Sequence, residues 1–353
     1  MSRFDPFASA APDPRGASGV PASAPAGAPR RSGPRWLRPV EVGSTSVWRV
    51  VTVMALSVTG LFSAFGLAVL TAQGQRVEER ILDISSYNTE SALLGLVSVP
   101  SLVVACVVVA GIALLQRRIV AAATGVAVIA VSNFLGQLLK YAVFERPAFL
   151  DDVSNTFPSG HMIAFASAAV AVLLVIPARL RGIAALLATV LLCAVGFELL
   201  SAGWHRPSDV IGSLFLVCAV AAAAVLVPGG AVPARTHASA RRLSGLLTTV
   251  SFVLGFVGVG AALVVALGLF DGADAPVAVF GYSAVLAVAL FTVGLLLWVM
   301  PVARADRGYA AADTRAPRST VSGHVPHAPG RTPGLPGSGL PGTGAPGPMM
   351  AGR

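Results

Sequence analysis

The sequence predicts an all-α fold, a polytopic bundle of transmembrane helices. Three observations predict it. Hydrophobic residues make up 55% of the chain and charged residues only 12%, where a soluble globular domain carries roughly a quarter charged. Long apolar runs alternate with short polar loops. The basic residues also fall one-sidedly among those loops, as membrane insertion requires.

The apolar runs are Val50–Ala72, Ala92–Leu115, Ile119–Leu139, Met162–Ile176, Ile183–Leu200, Val210–Val227, Leu246–Phe270 and Val277–Met300. A spanning helix needs about 20 residues; the fourth run reaches that only if it begins near Ser159. In lipid the backbone must satisfy its own polar groups, so each run is predicted to be helical. Residues 1–47 and 303–353 are rich in Pro, Gly, Ala and Ser without apolar periodicity. They cannot bury enough surface to offset ordering entropy and are expected to be disordered tails. Cys106, Cys193 and Cys218 all lie within apolar runs, where they read as small buried hydrophobes.

The net charge of +9 does not point to nucleic acid, because the arginines sit in loops and tails and form no aromatic-interleaved patch. It points to orientation. With the N-terminus in the cytoplasm and loops assigned alternately, only Arg76, Arg80, Lys140, Arg146 and Arg206 of the 25 basic residues fall outside. Most acids join them there, including Glu78, Glu79, Asp83, Asp151, Asp152, Asp271 and Asp274. Both termini are therefore expected in the cytoplasm.

Three polar clusters interrupt the apolar pattern, and this topology puts all three on the non-cytoplasmic face. Lys140 and Arg146-Pro147 follow the third run, Pro158-Ser159-Gly160-His161 opens the fourth, and His205-Arg206-Pro207-Ser208-Asp209 lies between the fifth and sixth. Two fixed cations suit a phosphate, arginine as a planar fork and lysine as a point charge. Asn133, Gln137 and Lys140 share one helical face, expected to look into the bundle. Ser159-Gly160 at a helix start offers backbone N–H groups to an anion. A carboxylate at Asp209 would fix the tautomer of His205 and leave its other nitrogen to attack. His161 could then protonate a leaving alkoxide. Each feature alone has a plainer reading: Lys140 as a snorkelling anchor, Ser159 as a helix cap, Arg146 as a loop charge. Their order and shared face favour the chemical reading.

These clusters resemble the signature of the type 2 phosphatidic acid phosphatases, membrane lipid phosphatases related to the vanadium haloperoxidases. That signature is Lys-x6-Arg-Pro, Pro-Ser-Gly-His, and Ser-Arg-x5-His-x3-Asp. The second motif matches at Pro158–His161 and the latter half of the third at His205–Asp209. The resemblance implies a six-helix phosphatase core over residues 48–228, followed by two additional transmembrane helices over 229–302. It implies a metal- and cofactor-independent phosphatase of a bacterial plasma membrane acting on a lipid phosphate or pyrophosphate. His205 would be the nucleophile, Asp209 its orienting partner and His161 the acid. Lys140, Arg146, Ser159 and Gly160 would hold the phosphate. Two departures stand out. The first motif is one residue tighter, and Leu199 occupies the place of the third-motif arginine, with Glu198 at its serine. Arg206, steered by Glu198, is the expected substitute. A phosphotransferase using the same intermediate, and a catalytically weak lipid-phosphate-binding protein, are the alternatives. The residues name neither the headgroup nor the oligomeric state.

Overall fold

The computed structural model of the chain describes residues 47–85, 91–149, 154–232, 237–267 and 274–300. The predicted tails up to residue 46 and from 303, and Asp151, Asp152 and Asp271 of the charge argument, lie outside the described residues. Among the described residues all regular structure is helical. Eight helices correspond to the eight apolar runs: α1 (Val47–Ala64), α3 (Val99–Leu115), α4 (Ile119–Leu138), α5 (Gly160–Val175), α6 (Arg181–Ser201), α7 (Pro207–Val225), α8 (His237–Ala266) and α9 (Asp274–Val299). α1 and α4 each run on into a π-helical turn, at Phe65–Val69 and Leu139–Val143. Among the described residues six helices are long and apolar enough to cross a membrane, whereas α3 and α5, with 17 and 16 residues, are apolar but shorter.

α2 (Ala72–Asp83) corrects the loop reading of this stretch. The first apolar run does not continue through Ala72. The chain turns at Thr71, whose hydroxyl accepts the Gly74 N–H at 3.0 Å and caps a new amphipathic helix. Its buried face carries Gln75, Glu78, Ile81 and Leu82, a helical spacing that lays polar groups against the end of the bundle. Gln75 fixes α2 there. Its amide donates at 2.8 Å both to the Val69 carbonyl and to the Pro147 carbonyl, joining the end of α1 to the loop after α4.

α7 packs against α1, α4, α5 and α9, and forms the centre of the core. α9 is equally interior: 67% of its apolar window is buried, the same as α7, against 17% for the span in α8. α9 is thus a core helix, and α8 covers it from outside. Of the four α8 glycines, Gly245, Gly255, Gly258 and Gly260, only Gly258 sits at a close approach. A Cβ there would lie 2.7 Å from the Ser283 hydroxyl of α9, whereas Gly255 and Gly260 face open space. Trp48 at the start of α1 meets Trp298 at the end of α9, ring centres 5.3 Å apart. The first and last helices therefore share one end of the bundle, as an even number of crossings requires. Cys218 is buried, Cys106 and Cys193 are half-buried, and all three are free thiols.

Candidate active site

The three polar clusters converge at the other end of the bundle, and backbone geometry explains how. Gly203 closes α6 with φ of 72°, a left-handed conformation that a side chain resists. It turns the chain so that the Trp204 and His205 N–H groups both donate to the Leu199 carbonyl, at 3.1 and 3.2 Å. Pro207 then opens α7, where its missing N–H costs nothing. Asp209 stands in that first turn, and its Oδ2 accepts the Arg206 N–H at 3.1 Å. One helical turn separates it from His205, whose Nδ1 lies 3.3 Å from the same oxygen.

Asp209 is wholly buried and is the hub of the site. The Thr156 hydroxyl donates to its Oδ2 at 2.6 Å, and an Arg146 terminal nitrogen lies 3.5 Å from its Oδ1. Its backbone carbonyl accepts from the Ser159 N–H at 3.1 Å and the Ser213 hydroxyl at 2.7 Å, tying α7 to the start of α5. Ser159 is itself buried and caps α5 by accepting the Met162 N–H at 3.3 Å. Its hydroxyl is thus engaged in the plainer role, as the cap of α5. His161, on the first turn of α5, is half-buried. Its ring centre is 5.9 Å from that of His205 and 5.2 Å from that of Trp204, both edge-on.

Lys140 lies in the π-turn ending α4 and is half-buried, with its ammonium 5.8 Å from the Tyr141 ring centre. Asn155 shapes this loop: its amide donates to the Lys140 carbonyl at 3.0 Å and the Phe144 carbonyl at 2.7 Å. The polar stripe on α4 is only partly inward. Asn133 donates to Ser167 of α5 at 3.2 Å, but Gln137 is exposed, 3.7 Å from where a Cβ on Gly160 would lie. It borders the mouth of the site instead of entering the core.

The largest departure from expectation is the set of partners taken by the two arginines. The Arg146 side chain is fully buried, with one terminal nitrogen 3.6 Å from Glu78 and the other 3.5 Å from Asp209. Arg206 pairs with Glu79 at 3.1 Å and donates to Thr156 at 3.4 Å. Its partner is therefore a carboxylate of α2 and not the expected Glu198. Leu199 is completely buried in the apolar core, a place where a longer charged side chain would lack a counter-charge. Glu78 Oε1 also accepts the Ser208 N–H at 2.9 Å, capping α7 from a neighbouring helix. Burial foremost, and then the Asp209 charge, push the Glu78 carboxyl above its usual pKa, against the pull of the Ser208 hydrogen bond and Arg146. Thr156, Asn155, Gln75, Glu78 and Glu79 were not singled out as site residues by sequence reasoning.

The Glu79–Arg206 pair makes a direct prediction. If Arg206 serves phosphate while Glu79 holds it, Glu79→Gln and Arg206→Ala are expected to be non-additive in kcat/KM, with a coupling of about 0.5–3 kcal/mol. Glu198→Gln should add independently. Full additivity of Glu79 and Arg206 would remove the positioning role.

A helical bundle with membrane-length spans, carrying a His–Asp pair, a second histidine and several cations at one end, defines the class: a helical membrane protein with a polar His–Asp site at one end. Residues 121–232 match the family model of the PAP2 superfamily. The matched stretch runs from α4 to just beyond α7 and contains all three motif clusters, in line with the motif resemblance. Searches of curated proteins and of solved structures gave no match. A PAP2 superfamily phosphatase domain set among membrane-length helices supports a membrane phosphatase.

Proposed function

We propose that this protein dephosphorylates a lipid on the non-cytoplasmic face of a bacterial plasma membrane, through a phosphohistidine at His205. The observation that carries the reading is the buried His205–Asp209 pair at 3.3 Å with His161 beside it. Asp209 accepts a hydrogen bond from Nδ1–H, which fixes the tautomer and leaves Nε2 as the nucleophile. Nε2 bonds to phosphorus as the bond to the lipid oxygen breaks, and His161 gives that oxygen its proton. Water then attacks the phosphohistidine, giving its proton to the now neutral His161; the P–N bond breaks and inorganic phosphate leaves. Lys140, Arg146, Arg206 and the backbone near Ser159 and Gly160 neutralise the phosphoryl oxygens. The proposed six-helix phosphatase core is residues 48–228, within which α1 packs along α7; α9 packs into the same bundle from beyond that range.

A second reading has its own support. Leu199 replaces an expected arginine, and both remaining arginines face carboxylates. A protein that binds lipid phosphate with little turnover fits that pattern, and so does an enzyme passing its phosphoryl group to an alcohol. Phosphate release from a lipid phosphate by purified protein in liposomes separates these readings. Release that survives chelators and is blocked by vanadate is the expected result; none in the presence or absence of an acceptor alcohol favours the binding protein.

Orientation is testable with the same preparation in cells. Ser159 is too buried to label, so exposed positions serve better. In a variant lacking Cys106, Cys193 and Cys218, Arg76→Cys should react with a membrane-impermeant thiol reagent on intact cells, while Arg179→Cys should not. The reverse pattern refutes the assigned side.

A further inference from the structure

A cavity of about 660 Å³ lies between α1, α2, α7, α8 and α9, reaching Glu78, Pro207 and Ser208 beside the His205–Asp209 pair. Its size falls within the span of small-molecule pockets, roughly 300–1,000 Å³. Leu67, Ile211, Phe215 and Phe280 make its wall apolar, and Ala262 and Ala284 bring α8 and α9 close with small side chains. Its polar groups come mainly from α2 and from Ser208 at the start of α7. Those are also the groups that touch the site: Glu78 Oε1 accepts the Ser208 N–H and its Oε2 faces Arg146. Pro207 and Ser208, which line the cavity, sit in the chain between His205 and Asp209.

Resting on the proposed phosphatase reading, we infer that this cavity seats the hydrocarbon chain of the lipid whose phosphate is processed at His205. Apolar walls are poor company for water, which needs polar partners. Hydrocarbon restores the dispersion contacts that such a wall offers. The polar edge gives the occupant a direction: chain toward α8 and α9, polar end toward Ser208 and the catalytic pair. The far wall comes from α8 and α9, outside the 121–232 PAP2 match. The two additional helices are thereby assigned to chain recognition, while the core performs the chemistry.

The test narrows the cavity from its far wall, away from every site residue. Ala284→Phe on α9 and Ala262→Phe on α8 are made separately, so that a folding failure in one leaves the other. Each is assayed on hexadecyl phosphate and on p-nitrophenyl phosphate, which has no chain. The expected result is a fall of about tenfold or more in kcat/KM for hexadecyl phosphate, with the soluble ester changed less than about twofold. Equal effects on both substrates, or none on either, overturn the inference. If the wild-type protein hydrolyses neither substrate, the phosphatase reading has failed on its own. The cavity is then judged by a diazirine-bearing hexadecyl phosphate. Crosslinks to α8 or α9 at the cavity, competed by plain hexadecyl phosphate and lost in both variants, support the inference; crosslinks elsewhere only, or none, overturn it.

Discussion

His205→Ala is expected to abolish phosphoenzyme formation and turnover together. The reason is geometric as well as chemical. His205 is the ring held by Asp209, and its backbone N–H is fixed on the Leu199 carbonyl, so no neighbouring group takes its place. His161 is the nearest imidazole, yet its ring centre is 5.9 Å away. Asp209→Asn should lower turnover by roughly 10²–10⁴-fold, the scale of losing a positioned proton partner. Asparagine also weakens the hub that gathers Thr156, Arg146 and the Arg206 N–H, so part of that loss should appear as reduced stability. His161→Ala differs in kind. With p-nitrophenyl phosphate, whose leaving group needs little protonation, the phosphoenzyme should still form and should accumulate. Trapping labelled phosphoenzyme after rapid acid quench checks all three variants. Turnover near the wild-type level in His205→Ala would falsify the nucleophile assignment.

The apolar helices were legible because lipid leaves a long hydrophobic run little choice but helix. The His205–Asp209 contact was legible for a local reason: residues four apart at the opening of a helix face each other. α2 escaped because a short amphipathic helix rich in Arg and Glu looks like a solvated loop when charge is being counted for topology. Its signals were present in the Thr71-x-x-Gly74 cap and the Gln75, Glu78, Ile81 spacing, too brief to compete with the loop reading. The partners of Arg146 and Arg206 were not legible at all. Glu78 and Glu79 are adjacent in sequence yet face different arginines, and Glu79 lies 127 residues from its partner. Local pattern contains no information about such a pairing. The expected Glu198 was nearer in the chain but on the wrong element.

The buried triad of Arg146, Glu78 and Asp209 should respond asymmetrically to mutation. Removing the cation leaves two buried carboxylates facing each other. Arg146→Met is therefore expected to destabilise the protein by about 3–5 kcal/mol, the usual cost of breaking a buried pair from one side. Removing Glu78 should be far milder. Its carboxyl is held above the usual pKa chiefly by burial, and then by Asp209, despite Arg146 and the Ser208 N–H. The fold thus already disfavours its ionised form, while a glutamine can still accept from Ser208. Glu78→Gln should be neutral or slightly stabilising at neutral pH. The pH dependence has a definite sign. Because the folded pKa is raised, the stabilisation contributed by Glu78 is complete below the unfolded carboxylate value and is lost as pH rises through the folded one. Wild-type protein should consequently lose stability relative to Glu78→Gln as pH climbs across that window, and the gap should level off above it. Arg146→Met should widen the window upward, since the arginine holds the carboxyl down, and adding Glu78→Gln should recover part of the loss. Unfolding of purified protein in detergent, followed from about pH 4 to pH 8, measures all four curves. A Glu78→Gln variant as damaged as Arg146→Met would mean that the ion pair outweighs burial, and that α2 is held to the core by charge and not by its cap on Ser208.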